Sequence, residues 1–293
     1  MIKNINLNYS DFRNGEYKAV RSVLKSKHLQ RGVVTKIVEE KIAEITQSKY
    51  AILVSSATGG LIASLKACGI GNGDEVITTP FSHAASANSI YLVGAVPIYS
   101  DINSETFNLD VKKIEKRITN KTKAILTVDL YGNPCDYHEI STIAKRYNLK
   151  IIADSSQSFG SKYNDKMRYP NVDIQVFSFF GLKPFTSGEG GACITNNKQL
   201  LESINSYINH GQKRGFKHKY SYTTNGYNFR LTEIQAAIIE SQLTKFDEIL
   251  SKHYSNAQFL NNKLSKINGI QVPTITKNST HSYSKYTIKI LSL

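Results

Sequence analysis

Residues 177–191 read Phe-Ser-Phe-Phe-Gly-Leu-Lys-Pro-Phe-Thr-Ser-Gly-Glu-Gly-Gly, and they set the architecture expected for the rest of the chain. Lys183 follows an apolar, aromatic run and precedes a proline and a glycine-rich turn. Such surroundings desolvate an amine and make it available as a nucleophile, which a solvated surface lysine is not. The stretch therefore predicts a loop, bracketed by two strands, that carries a candidate reactive lysine.

A candidate acid lies upstream of this lysine. Ile151-Ile152-Ala153 predicts a buried strand, and Asp154 follows it directly, at the edge where open α/β sheets bind ligands. Pyridoxal phosphate chemistry requires an amine together with a carboxylate that holds the ring nitrogen. Taken alone, Asp154 is equally consistent with a helix N-cap or a surface acid, and Lys183 with a non-catalytic lysine.

Length and composition fit a globular protein with a large core. The chain has 293 residues, of which 40% are hydrophobic, enough for one large α/β domain and part of another. The net charge of +14 raises the possibility of nucleic-acid binding. However, the lysines are scattered, without a basic run interleaved with aromatic residues, and this favours a solvated lysine-rich surface that also suits small anionic substrates.

The cysteines and the N-terminus bear on the compartment. Cys68, Cys135 and Cys193 are odd in number and far apart, so neither a disulfide framework nor a metal site is expected. Residues 1–6 have no apolar run behind their charge, and no later stretch approaches the roughly 20 apolar residues of a membrane span. We expect a cytoplasmic protein that does not enter a membrane or bind nucleic acid.

Strand-like and helix-like segments alternate along the middle of the chain, which predicts an α/β fold with a mostly parallel central sheet flanked by helices. Strands are predicted over residues 50–54, 75–78, 96–99, 124–128, 150–153, 176–179, 192–195 and 283–290. Helices are predicted over residues 16–24, 36–45, 59–68, 87–93 and around 140–147, and a long helix is predicted to begin at Thr232, with Gln235 as its capping-box partner.

A turn of small residues precedes the helix expected at residue 59. Ser55-Ser56-Ala57-Thr58-Gly59-Gly60 lies between a predicted strand and this helix, where free backbone N–H groups bind phosphate. Small residues at such a turn are common, and a helix cap with close packing is an equally simple interpretation. The turn does not match the GxGxxG pattern, so a Rossmann-type dehydrogenase is disfavoured.

Five ordered blocks together are more specific than any one of them. These blocks are residues 56–58, 80–88 (Pro-Phe-Ser-His-Ala-Ala-Ser-Ala-Asn), 154–157 (Asp-Ser-Ser-Gln), 178–191, and 226–237 (Gly-Tyr-Asn-Phe-Arg-Leu-Thr-Glu-Ile-Gln-Ala-Ala). In order and spacing they resemble the DegT/DnrJ/EryC1/StrS family of sugar aminotransferases, from about Asn14 to Tyr286. The resemblance implies a fold-type I transferase that depends on pyridoxal 5′-phosphate.

The resemblance also implies roles for individual residues. Lys183 would form the internal aldimine and shuttle protons, Asp154 would hold the pyridine nitrogen, and Gln157 would contact the side of the ring that bears the 3-hydroxyl. The cofactor phosphate would be bound by Ala57 and Thr58 at the helix start and by Ser178. Asn228 would reach the phosphate of a neighbouring subunit, which implies a homodimer with shared active sites.

Two departures from the family pattern affect the expected site. His83 stands where the family usually places Phe or Trp against the cofactor ring, and it could stack there or cap a local turn. Ser155 and Ser156 replace the alanines that are common after the acid, a change expected to be tolerated.

The implied reaction moves an amino group, with glutamate as the expected donor, to a nucleotide-linked keto-deoxysugar. A dehydratase on the same scaffold is disfavoured, because those members carry histidine in place of the lysine. Family members usually continue beyond residue 293, so we expect a large domain over residues 1–240, then a long helix and the start of an incomplete small C-terminal domain over residues 241–293. A truncated, non-catalytic paralogue that binds the cofactor or a partner subunit is the alternative.

Overall fold

A seven-stranded sheet forms the centre of the protein, seen in a computed structural model that describes residues 10–212, 221–222 and 224–291. Its strands are β1 Tyr50–Val54, β2 Glu75–Thr78, β3 Val96–Tyr99, β4 Thr122–Val128, β5 Lys150–Asp154, β6 Ile174–Ser178 and β7 Gly191–Thr195. A separate antiparallel pair is formed by β8 Ile270–Gln271 and β9 Lys289–Ile290. The spatial order of the large sheet is β1-β7-β6-β5-β4-β2-β3.

The sheet is mostly parallel, as expected from the alternation of strands and helices. Strands β6, β5, β4, β2 and β3 run parallel, and β7 is antiparallel to both of its neighbours. Every residue of β6 and β7 is buried. Strands that are buried along their whole length are typical of a sheet covered on both faces, because neither face meets water.

Nine helices lie in the described part of the chain. They are α1 Asn14–Ser26, α2 Val33–Thr46, α3 Ala57–Ala67, α4 Ala84–Leu92, α5 Val111–Ile114, α6 Tyr137–Arg146, α7 Lys198–Tyr207, α8 Glu233–Leu243 and α9 Phe246–Leu264. The predicted cap of α8 is confirmed: Thr232 and Gln235 form a capping box. The predicted long helix is two helices, because α8 ends at Leu243 and α9 begins at Phe246.

Alternating strand residues divide the core between the two faces of the sheet. Ile152 of β5 packs in a cluster with side chains of α3, α4 and α7, whereas Ile151 and Ala153 pack in a cluster with α6. Leu53 of β1 packs with α2 and α8, on the opposite face of the sheet from Ile52. Since successive strand side chains point to opposite faces, helices cover both sides of the sheet.

The strand expected over residues 283–290 is wrong for most of its length, since only Lys289–Ile290 is extended and paired. Tyr283 has a φ of 49°, and its N–H donates to His281 Nδ1 at 2.8 Å. This turn breaks the alternation that a strand requires, and Lys285 N–H then donates to Tyr131 O at 3.2 Å. The segment therefore bends against the loop after β4.

Several other expectations concern the whole chain. The proposed domain boundary at residue 240 falls within α8 and stays a prediction. Cys68, Cys135 and Cys193 are free thiols, the last two buried and the first half-buried. Within residues 10–212, 221–222 and 224–291, no helix has both the length and the apolar character to cross a bilayer, and no cluster of His, Cys, Asp and Glu is arranged to hold a metal ion.

A buried carboxylate joins α1 to the α8–α9 corner. Glu16 is 4% exposed; its Oε1 accepts bonds from Lys245 Nζ at 2.7 Å and Gln242 Nε2 at 2.8 Å, and its Oε2 accepts one from Arg13 N–H at 2.8 Å. Burial raises the pKa of Glu16, but the bonds from Lys245 and Arg13 outweigh it and hold the pKa at about 2. The folded state therefore favours the charged form.

This carboxylate makes stability depend on pH. Because the folded pKa of Glu16 lies below the unfolded value, its contribution is present above about pH 4.5 and is lost as the pH falls towards 2. We expect Glu16→Gln to lower the free energy of unfolding at pH 7 by about 2 kcal/mol, between the values for exposed and buried pairs. The variant should also lose less stability than the wild type between pH 4.5 and 2.5, as measured by urea unfolding.

Glu40→Gln is the matched control, since Glu40 forms an exposed pair with Lys36 at 3.8 Å. It should change stability by less than about 0.5 kcal/mol. If both variants showed the same acid sensitivity as the wild type, the assignment to Glu16 would be wrong.

Candidate functional site

A cavity of about 610 Å³ opens at the edge of the sheet where β4, β5 and β6 end. Its walls come from the first turn of α3, the loop before α4 and the loops that follow these three strands. Seven of the eight residues predicted for the site line this cavity: Ala57, Thr58, His83, Asp154, Gln157, Ser178 and Lys183. The topology therefore brings together groups that are more than 120 residues apart in sequence.

Lys183 lies on a turn that folds back towards the end of β6. Its N–H donates to Phe180 O at 2.8 Å. Burial lowers the pKa of Lys183, the Asp154 carboxylate acts in the opposite direction, and the Lys285 ammonium lowers the pKa further. A lower pKa increases the deprotonated fraction near neutral pH, so this amine is a better nucleophile than a solvated lysine.

Asp154, the last residue of β5, is 6% exposed and is held in place by two donors. Its Oδ2 accepts a hydrogen bond from Ser86 Oγ at 2.7 Å, and its Oδ1 accepts one from Ser156 N–H at 3.2 Å. Ser82 Oγ lies 2.8 Å from Ser86 Oγ and extends the chain of hydroxyl groups. The carboxylate is thus oriented towards the cavity by its surroundings.

Ser86 is a functional residue that sequence reasoning missed. It belongs to the motif over residues 80–88, yet its spacing gave no sign that it meets Asp154, 68 residues away. The bond between Ser86 and Asp154 depends on how α4 is oriented against the end of β5, and no sequence pattern signals that orientation.

The start of α3 forms the corner of the cavity that suits a phosphate group. Ser56 is the N-cap, and its Oγ accepts a bond from Gly59 N–H at 3.1 Å. Ala57 and Thr58 begin the helix, where N–H groups have no partner within the helix and the dipole favours an anion. Ser178 adds a hydroxyl from the end of β6.

Gly191 allows this helix start to approach the sheet. A Cβ at this position would lie 2.7 Å from Phe177 O and 2.8 Å from Ala57 N. Both neighbours are backbone atoms, which cannot yield without moving the strand or the helix. The second glycine of the Gly190-Gly191 pair is therefore required by the close packing of β7 beneath the phosphate corner.

Gln157 is oriented by the loop after β4. Its Oε1 accepts a hydrogen bond from Tyr131 N–H at 3.0 Å, which leaves the Nε2 amide as the donor available to a ligand in the cavity. Tyr131 itself adopts a φ of 59°, in the left-handed region that is uncommon for residues with a side chain. The turn is thus held in a strained backbone conformation where it orients the side chain of Gln157.

His83 caps the local turn, as one of the two alternatives expected, and its stacking on a cofactor ring stays a prediction. It lines the cavity, and it is also the N-cap of α4, with Nδ1 accepting a hydrogen bond from Ala85 N–H at 3.2 Å. A neutral imidazole that accepts at Nδ1 carries its proton on Nε2. The local bond therefore fixes the tautomer and limits rotation of the ring at the cavity wall.

Asn228 is not among the described residues that line the cavity. It forms an isolated bridge with Asn209, and its Oδ1 accepts a bond from Arg230 N–H at 3.4 Å. Arg230 Nη1 donates to Asn209 Oδ1 at 2.7 Å. The expected role of Asn228 towards a neighbouring subunit stays a prediction.

A buried acid beneath the cavity was not anticipated. Asp129, which follows β4, is fully buried and accepts bonds from Ser155 Oγ (2.6 Å), Ser158 Oγ (3.0 Å), Tyr137 Oη (2.7 Å) and Cys135 N–H (2.9 Å). Burial raises the pKa of Asp129, while these four donors act in the opposite direction by stabilising the carboxylate. The cluster joins the loops after β4 and β5.

Comparison with known proteins adds independent findings. The sequence model of the DegT/DnrJ/EryC1/StrS aminotransferase family matches residues 10–292. A GDP-perosamine synthase of Escherichia coli O157:H7 is 41% identical over 245 residues, which are 84% of this chain and 66% of that protein. A UDP-2-acetamido-2-deoxy-3-oxo-D-glucuronate aminotransferase of Pseudomonas aeruginosa is 37% identical over 253 residues, 86% of this chain and 69% of that one.

Among solved structures, NtdA of Bacillus subtilis with bound cofactor PMP superimposes with a TM-score of 0.91 at 30% identity. The match covers 99% of this chain and 67% of NtdA. The chain thus spans about two thirds of the length of the relatives named here.

The two serines after Asp154 should differ in their effect on stability. Ser155 is fully buried and bonded to Asp129, so we expect Ser155→Ala to lower the free energy of unfolding by about 1–2 kcal/mol. Ser156 is half-buried and its hydroxyl has no hydrogen bond in the described structure, so Ser156→Ala should stay within about 0.5 kcal/mol of the wild type. Denaturant unfolding measures both, and equal losses would contradict the role given to Asp129.

Proposed function

Because this chain belongs to the DegT/DnrJ/EryC1/StrS aminotransferase family, we propose that it transfers an amino group from glutamate to the keto carbon of a nucleotide-linked deoxysugar. The cofactor of this family is pyridoxal 5′-phosphate. The observation that carries the proposal is the placement of Lys183, Asp154 and the start of α3 around one cavity.

The residues around the cavity fit this cofactor. The free N–H groups of Ala57 and Thr58, with the Ser178 hydroxyl, suit its phosphate. Asp154, held by Ser86, suits the ring nitrogen. The close approach that Gly191 permits keeps the start of α3 at the cavity wall.

Other residues that line the cavity supply the remaining contacts proposed for the cofactor. Gln157 Nε2 would donate on the side of the ring that bears the hydroxyl, and the His83 ring would lie against the cofactor plane. Lys183 Nζ is the amine to which the cofactor would attach.

Each residue has a distinct chemical task. When bound, the cofactor supplies an electron-accepting ring that stabilises negative charge on the substrate carbon. Asp154 keeps a proton at the ring nitrogen, because an ionised carboxylate favours the protonated form of its neighbour. Lys183, as a free amine, would accept a proton from the substrate carbon and deliver it to the cofactor carbon that takes up the amino group, and its lowered pKa suits both accepting and donating the proton.

The relatives and the net charge of the chain support a nucleotide sugar as the substrate. Both curated relatives described above carry nucleotide-sugar names, and the net charge of +14 favours an anionic nucleotide.

A homodimer with shared active sites is part of the proposal. Three large apolar side chains near the cavity and the 226–231 segment are exposed in the single chain: Phe180, Leu182 and Tyr227. Exposed apolar groups that cluster at a cavity mouth are typical of a subunit interface. Contact there would bring Asn228 of one subunit towards the cavity of the other. Free cysteines are in keeping with the cytoplasmic location proposed here.

Covalent attachment of the cofactor tests the central residue. We expect the purified chain with pyridoxal 5′-phosphate to absorb visible light and, after borohydride reduction and denaturation, to carry the cofactor mass on the peptide that contains Lys183. Lys183→Ala should carry none, because no other amine reacts efficiently without desolvation. Lys277→Ala, which removes an exposed lysine outside the cavity, is the control. Cofactor bound at another lysine in the wild type would refute the assignment.

Replacement of Asp154 should affect turnover more than folding. Asp154→Asn should reduce kcat for amino transfer by on the order of 100-fold, since the amide cannot keep the ring nitrogen protonated. Ser86→Ala should give a smaller loss, because Ser86 orients Asp154 without replacing it. Circular dichroism checks that both variants fold. Full activity in the Asn variant would remove Asp154 from the mechanism.

A further inference from the structure

A segment from the C-terminal part of the chain closes one side of the cavity. Ser282 N–H donates to Gly132 O at 3.0 Å, and Ser282 Oγ donates to Gln157 O at 3.3 Å. Lys285 N–H donates to Tyr131 O at 3.2 Å. These bonds tie the segment to the same loops that orient the cavity wall, so its side chains are held at fixed positions beside the site.

Lys285 is the charged residue that this segment adds to the cavity. Its side chain lines the cavity together with Lys183 and is exposed to solvent. Burial lowers the pKa of Lys183, the Asp154 carboxylate raises it, and the Lys285 ammonium lowers it further. The end of a lysine side chain thus reaches the neighbourhood of the reacting amine.

No anion of the described structure neutralises this cation. The carboxylates that line the cavity belong to Asp154 and Glu189. Asp154 is bonded to Ser86 and to Ser156 N–H, and the ion pairs among the described residues include none between Lys285 and an acid. The unpaired Lys285 ammonium in the cavity creates an electrostatic site for a negatively charged group of a substrate.

The position of Lys285 in the cavity indicates which negative group fits. In an amino acid the α-carboxylate is attached to the same carbon as the amino group, so it must lie within a few ångströms of the reacting centre. In a nucleotide sugar the diphosphate is separated from a ring keto carbon by part of the sugar. Lys285 lines the same cavity as Lys183 and is joined through Tyr131 to Gln157, the residue proposed for the hydroxyl side of the ring next to the reacting carbon. Its ammonium is therefore placed for the donor carboxylate.

We propose that Lys285 binds the α-carboxylate of the amino-acid donor and is a specificity-determining residue for the first half of the reaction. This assignment rests on the aminotransferase function proposed above. It gives Lys285 a direct contact with substrate through a charge-assisted hydrogen bond. The second half of the reaction, with the sugar, does not use this contact.

The test compares three donors in the wild type and in Lys285→Met. Glutamate has both carboxylates, isoglutamine has an amide in place of the α-carboxylate, and glutamine has an amide in place of the side-chain carboxylate. The rate at which each donor converts the bound cofactor is followed by absorbance over a range of donor concentrations. Lys285→Arg tests rescue by another cation, and Lys277→Met, which removes an exposed lysine outside the cavity, is the matched control.

We expect Lys285→Met to lower kcat/KM for glutamate and for glutamine on the order of ten- to a hundredfold, mainly through KM, and to leave isoglutamine unchanged. Lys285→Arg should retain most of the wild-type kcat/KM for glutamate and for glutamine, and Lys277→Met should match the wild type. Glutarate, which has no amine and cannot react, should bind the Met variant more weakly than the wild type in calorimetry.

Other outcomes overturn the assignment. If Lys285→Met lowers the rates with glutamate and isoglutamine but spares glutamine, Lys285 binds the side-chain carboxylate instead. If only the half-reaction with a nucleotide sugar that bears a carboxylate is impaired, it belongs to the sugar site. Unchanged kinetics with all donors would remove it from binding altogether. A wild-type chain that binds cofactor yet reacts with no amino acid would refute the proposed function itself, a result separate from these.

Discussion

The parallel pairing of β5 with β6 is the constraint on which the site depends. Asp154 is in register with Val176, so the carboxylate and the loop after β6 leave the sheet at the same edge. Parallel strands must end on a common side, and the chain then crosses back through a separate connection. Lys183, 29 residues after Asp154 in sequence, is returned to its neighbourhood by this geometry and by the antiparallel return through β7.

Polar groups beneath the cavity keep that edge in place. Asp129 N–H donates to Asp154 O at 3.1 Å, and the Asp129 carboxylate gathers hydroxyl donors from the loop that follows Asp154. A buried carboxylate without its donors would be costly, so the cluster is stable only when both loops are in their native positions. The support of Asp154 is thus coupled to correct folding of the sheet edge.

Much of this arrangement could be predicted from the sequence. The strands of the large sheet are strongly apolar, which made their positions readable, and the order of the motifs indicated the family. Positions of Ser86 and Asp129 could not be predicted, because their partners are set by helix orientation and loop conformation rather than by spacing. Residues 283–288 were misjudged as part of a strand, since the bond from Lys285 N–H to Tyr131 O is tertiary and leaves no periodic pattern.

Gly132 shows how closely the loop after β4 and the C-terminal segment are fitted. It has a φ of 106°, and a Cβ there would lie 2.4 Å from Ser282 Oγ. Any larger residue at 132 would push away the segment that carries Lys285, even though Gly132 itself touches no substrate. Engineers who graft the C-terminal segment of one relative onto another must therefore exchange the two elements as a unit, because each is shaped by its contact with the other.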